Sequence, residues 1–196
     1  MADRSAMGRR RRRPVQARSQ ATVDFLLEAA ARVFKREGFA ATTNRIAAAA
    51  GVGIGTLYEY FPHKQALLLA LAERHVELAE TGIHAACATQ GSLRELLAAL
   101  QQAILVSQRF PSQALDLIQQ EAGGPALRTR VTMLRQTVLQ TLADRAAHLS
   151  EPSLRARAAF GALGELTART LYELEDPDVH ARLAVYLLDM AVAVLQ

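Results

Sequence analysis

The stretch from Thr42 to Lys64, TTNRIAAAAGVGIGTLYEYFPHK, holds two apolar-periodic segments on either side of Gly51, each too short to persist as a helix on its own. Helix nucleation is costly, so segments of under about a dozen residues are marginal in water unless they pack against something. The spacing therefore predicts two helices folded onto one another across a sharp corner. Such helices cross steeply only where the crossing residues are small and the turn accepts a left-handed backbone. Ala47 and Ala50 meet the first condition and Gly51 the second. Thr42 and Thr43 offer hydroxyls to cap the first of the pair, and Ile46, Val52, Leu57 and Phe61 form the small core that fixes the crossing angle. The pattern is that of a helix-turn-helix. With its core buried, the outer face of residues 53–60 is free to enter a DNA major groove, whose width of ~12 Å admits one helix.

The rest of the chain reads as helix as well. Alanine and leucine, both strong helix formers, fill 67 of the 196 positions, while aromatics make up 5% and Trp is absent, which points to an all-α protein. Val23, Leu26, Leu27, Ala30, Val33 and Phe34 recur at helical spacing from Ser19 until Gly38. Lys64 opens a long helix to about His84, Ser92 caps one to about Arg109, and Pro111 and Ser112 begin a shorter one to Glu121. Starts at Gly123, Gly124 and Pro125, at Pro152 and Ser153, and at Pro177 and Asp178 complete a count of about nine helices, with no convincing strand. The expected organisation is a basic disordered arm over residues 1–18, a three-helix DNA-binding domain over 19–65, and a helical bundle over 66–196.

Charge is distributed unevenly. Residues 1–65 hold twelve Lys/Arg against five Asp/Glu, a balance of +7, whereas residues 66–196 hold eleven against fourteen, a balance of −3. A cationic segment attracts a polyanion because each cation near a phosphate displaces condensed counterions, and an acidic remainder stays off the same polymer. The Arg9 to Arg13 run, just ahead of the first helix, reads as a DNA-contacting arm, with a solubilising leader as the plainer reading. No apolar h-region follows it, so it does not read as a signal peptide, and no stretch is long and apolar enough to span a bilayer. Cys87 is the single cysteine, which excludes a disulfide framework and fits a reducing compartment. A cytoplasmic location is expected, with no membrane partner.

From Arg18 to about Leu71 the chain resembles the TetR family of bacterial transcriptional regulators. The resemblance rests on LLEAA, VF and GF in and after the first helix, then TT, IA, AGV, GTLY and YF, and a Lys three residues after the Phe. It implies a homodimer that binds palindromic double-stranded operator DNA, usually as a repressor, and is released when a small molecule occupies the C-terminal domain. It also implies DNA contacts at Thr43, Asn44, Arg45, Gly53, Ile54, Gly55, Thr56, Tyr58, Tyr60 and Lys64. The chemistry agrees. Thr43 and the N–H groups of its first helical turn suit a phosphate, and Tyr58, Tyr60 and Lys64 suit the sugar–phosphate backbone. Asn44 and Arg45 suit base edges, and the methyl groups of Ile54 and Thr56 suit thymine methyls. Gly53 departs from the family, where a Ser or another polar residue is common. Its loss of a capping hydroxyl shifts reliance toward phosphate contacts and DNA shape.

Beyond Leu78 the resemblance is architectural. It implies a dimer interface on the last two helices, where Ala158, Gly161, Ala162, Leu166, Leu183, Leu187, Met190 and Val194 have the required size and spacing. The effector site is expected among the middle helices, between about His75 and Leu149. Gln101, Gln102, Gln119 and Gln120 are candidate hydrogen-bonding groups, Phe110, Met133 and Tyr172 candidate lining, and the effector is expected to be hydrophobic or amphipathic. His63, His75, His84, His148 and His180 show no metal-ligand spacing, and neither a metal nor a cofactor is expected. No GxSxG, HExxH, Walker loop or strand-borne GxGxxG is present, which argues against an enzyme. The alternative reading is a helical interaction protein whose basic tail binds RNA or anionic membrane.

Overall fold

The computed structural model describes residues 12–107, 124–166 and 177–196, and among these there are eight α-helices and no strand. They are α1 (Arg12–Glu37), α2 (Thr43–Ala50), α3 (Ile54–Tyr60), α4 (Lys64–Cys87), α5 (Leu93–Ser107), α6 (Gly124–Arg145), α7 (Pro152–Gly161) and α8 (Pro177–Val194). A 3₁₀ turn at Gly38–Ala40 follows α1 and a π turn at Ala162–Leu166 follows α7. The segment anticipated as a helix from Pro111 to Glu121 lies outside the described residues, as do Phe110, Gln119, Gln120 and Tyr172. The chain divides into two compact units, residues 1–71 and 72–196, so the division falls six residues later than expected and inside α4.

α1 begins at Arg12, seven residues before the start of its apolar period at Ser19. Backbone helicity needs no apolar stripe, and Arg, Gln and Ala are good helix formers. Pro14 is tolerated because it sits in the first turn, where the N–H groups have no intrahelical partner. Farther along, Leu26, Leu27, Ala30, Val33 and Phe34 are buried as their spacing predicts and pack with Ile46, Ala47, Leu57, Phe61, Leu67 and Leu68 into the core of the first unit. Each Leu, Ile, Val or Phe among them contributes about 1.5–3 kcal/mol on burial. Phe25, off the periodic stripe, is exposed.

The second unit is built from the greater part of α4 and from α5 to α8. Val76, Ile83, Leu96, Leu97, Leu100, Leu134, Val138, Leu142, Leu163, Leu188 and Leu195 are all buried there. α4 and α5 approach closely at Gly82, where a Cβ would stand 3.0 Å from that of Ala103. Ser92 and Glu95 form a reciprocal cap at the start of α5: the Glu95 N–H donates to Ser92 Oγ (3.3 Å), and the Ser92 N–H donates to Glu95 Oε2 (2.7 Å). Arginines fasten several helix ends. Arg145 donates to the carbonyls of Thr89 and Gly91, and Arg155 to that of Val194. Glu80 of α4 and Arg130 of α6 form a two-pronged ion pair at 2.5 and 2.8 Å. No helix among the described residues is long and apolar enough to cross a membrane.

Candidate nucleic-acid interface

Local chemistry shapes the corner between α2 and α3. Thr42 stands at φ −110°, ψ 151°, and its hydroxyl accepts from the Arg45 N–H at 3.3 Å, capping α2. Gly51 takes φ 71° at the other end. The Val52 N–H then reaches the Ala47 carbonyl (3.0 Å) and the Gly51 N–H that of Ala48 (3.1 Å), the paired closure that a left-handed residue makes possible. Arg32 of α1 lies 3.5 Å from the Ala49 carbonyl and helps tie α2 down.

α3 starts at Ile54, with Gly53 extended before it and no side-chain cap. Leu57 and Phe61 face inward, buried with Ile46. Gly53, Ile54, Gly55, Tyr58 and Glu59 face outward, while Thr56, Tyr60 and Val52 are half-buried. The next helix is capped by His63, whose Nδ1 accepts from the Ala66 N–H at 3.1 Å.

The residues singled out from the sequence fall into three groups. Thr43 and Tyr58 are joined: their hydroxyls lie 3.0 Å apart, linking the start of α2 to the outer side of α3. Asn44, Ile54, Gly53 and Gly55 are exposed. Arg45 and Lys64 are already engaged. The Arg45 guanidinium pairs with Glu37 Oε2 at 2.7 Å, and the Lys64 ammonium sits 5.7 Å from the centre of the Phe34 ring. Glu37 also binds Arg36 at 2.5 Å, and its carboxyl is held below the usual carboxylate range, first by Arg45 and then by Arg36. The same carboxylate raises the pKa of Arg45. Sequence inspection missed Glu37 because it lies eight residues from Arg45 with a turn between them, so no helical spacing marks the pair.

In the second unit, the anticipated interface residues divide. Leu187 and Ala162 belong to the protomer's own core, 5% and 7% exposed. Ala158 and Met190 are exposed, and Gly161, Leu183 and Val194 are half-buried. The side chain of Leu166 lies outside the described residues. Three exposed apolar side chains were not anticipated, Leu154 on α7 and Val185 and Tyr186 on α8. Gln101 is buried and donates to the Ala184 carbonyl at 2.7 Å, so it braces α5 against α8. Gln102 borders an apolar groove of about 410 Å³ between α4 and α5, together with Leu78, Gly82, Ala86, Ala99 and Ala103.

Residues 26–71 match the family model described as bacterial regulatory proteins, tetR family. Solved structures extend the likeness to most of the chain. A TetR-family transcriptional regulator from Streptomyces coelicolor superposes with a TM-score of 0.68 at 22% identity, covering 91% of this chain and 95% of its own. The TetR-like regulator LfrR from Mycobacterium smegmatis, solved with proflavine, gives 0.63 at 22% identity over 89% and 94%. AibR, solved with isovaleryl coenzyme A and operator DNA, gives 0.65 at 19% identity over 86% and 97%. The first unit is therefore a helix-turn-helix domain of the tetR family of bacterial regulatory proteins, and the chain as a whole has the fold of the TetR-family transcriptional regulators.

Proposed function

We propose that this chain is a non-catalytic transcriptional regulator that binds operator DNA as a homodimer, represses from it, and is released by a small apolar effector. The observation that carries the reading is the outward side of α3, which no neighbouring side chain covers at Gly53 or Gly55, held to α2 by the Thr43–Tyr58 hydroxyl pair. In that arrangement the hydroxyls of Thr43 and Tyr58, together with Tyr60 and Lys64, set the register on phosphates, and Asn44 and Ile54 meet base edges. Arg45 exchanges Glu37 for the duplex on binding. The Arg9 to Arg13 run adds cationic contacts beyond those of the folded domain.

Dimerisation is assigned to α7 and α8, whose outer sides carry Leu154, Ala158, Val185, Tyr186 and Met190 exposed. A twofold-symmetric operator needs two reading heads, so a monomer at micromolar concentration in sedimentation overturns this part. The effector is assigned to the apolar groove between α4 and α5, whose volume of about 410 Å³ is within the range of small-ligand sites. An effector releases DNA only by binding the released conformation more tightly than the bound one.

The deciding experiment is selection of duplexes from a random pool by the full-length protein, followed by titration at several salt concentrations. A twofold-symmetric consensus bound about 10³-fold or more tighter than random duplex, with affinity falling as salt rises, is expected. Equal binding to random duplex, RNA and anionic vesicles overturns the reading. Removing residues 1–13 should flatten the salt dependence, and an unchanged slope removes the arm from the account.

A further inference from the structure

We infer that Ile54 is the specificity-determining residue of α3 and that it reads the 5-methyl group of a thymine in each operator half-site. The inference rests on the DNA-binding reading above and goes on to name what the helix recognises.

The outward patch of α3 consists of Gly53, Ile54, Gly55, Tyr58 and Glu59. It contains no cation, and the Glu59 carboxylate is repelled by phosphates, so apart from Tyr58, whose hydroxyl lies at the edge toward Thr43, the patch suits base edges at the groove floor. Its capacity for polar reading is small. The Tyr58 hydroxyl is already paired with Thr43 at 3.0 Å. Glu59 only accepts hydrogen bonds, which matches the amino groups of adenine or cytosine and opposes the acceptor pair of guanine. Thr56, the other methyl-bearing residue considered from the sequence, is half-buried.

That leaves Ile54, an isoleucine 37% exposed to solvent on the working side of a soluble protein. The glycines flanking it have open surroundings: a Cβ at Gly53 or at Gly55 would meet nothing within 4 Å. The backbone on either side of Ile54 therefore offers no side chain to hold base edges away, and the branched side chain is what projects. Among the four bases, thymine alone presents a methyl group in the major groove. An exposed branched alkyl group with bare flanks is complementary to that methyl and to no other major-groove group.

The test uses full-length protein and the consensus obtained by random-pool selection. Deoxyuridine is substituted for thymine at one symmetric pair of positions at a time, which removes the 5-methyl group and leaves base pairing intact. One position per half-site is expected to weaken binding about fourfold per methyl lost. Ile54→Ala, checked for retained helicity by circular dichroism, should bind the thymine and uracil duplexes alike, and Ile54→Val should keep part of the discrimination. Uracil tolerated at every position overturns the inference while leaving selective duplex binding intact. A uracil penalty that persists undiminished in Ile54→Ala also overturns it, by assigning the methyl to another residue. Failure to enrich any duplex overturns the DNA-binding reading itself.

Discussion

The two units use the same apolar residues to different ends. In the first, single residues have single tasks: Thr42 caps, Gly51 turns the chain at φ 71°, Leu57 closes the core, and Thr43 meets Tyr58 across two helices. In the second, buried Leu, Val and Ala recur along helices that are each longer than α2 and α3. Among its polar contacts, those of Arg145, Arg155 and Gln101 fasten helix to helix. Short helices have few turns over which to compensate a poor residue, so their sequence is tightly constrained and can be read. Long helices spread the same stabilisation over many equivalent positions, and the chemistry of a ligand site is diluted among them.

That contrast can be broken most directly in the core. Leu57→Ala, at a position with no solvent exposure, is expected to cost about 2–5 kcal/mol and to unfold the DNA-binding unit ahead of the larger one. Calorimetry in which both units still melt in a single transition would show that they do not differ in redundancy as argued.

An effect of intermediate size is tied to pH in the second unit. Burial holds the His75 imidazole at about 4, below its ordinary 6.5. Between those values the unfolded chain takes up a proton that the native chain refuses. Stability is then complete above about pH 6.5 and falls as pH drops toward 4, by on the order of 2 kcal/mol once the partial solvent access of the ring is allowed for. Glu37, Glu80 and Glu95, each held low by hydrogen bonds, add losses only below about pH 4.5. Denaturant midpoints of His75→Leu should be flatter between pH 6.5 and 4.5 than those of the native chain, and parallel curves would refute this.

Caps give the smaller effects. Ser92→Ala removes the hydroxyl that accepts the Glu95 N–H and should cost about 1 kcal/mol, seen as a shift of the urea midpoint at constant slope. Gly53→Ser restores a hydroxyl before α3 in open space. A gain of a few tenths of a kcal/mol is expected, with a measurable change in the selected operator; an unaltered consensus would mean that position 53 does not face the bases.

How far the sequence could be read follows the same division. The Gly51 corner, the Thr42 and Ser92 caps, and the starts at Pro152 and Pro177 rest on local backbone rules, and they stand in the structure as read. The start of α1 was misplaced because apolar periodicity marks where a helix packs, not where it begins. The Glu37–Arg45 pair was invisible because it joins residues across a turn. Leu187 and Ala162 were placed at an interface and lie in the protomer core, since spacing along a helix names a face without saying which neighbour covers it. For the same reason the bond from Gln101 to the Ala184 carbonyl could not be read from spacing along α5.

The vacant volume beside Gly53 and Gly55 has an evolutionary corollary. New side chains can be installed there without disturbing any packed neighbour, so changes in target preference carry little penalty in folding. On the DNA-binding reading proposed above, retargeting to a different promoter would proceed by single substitutions at these two glycines, with the scaffold beneath left untouched.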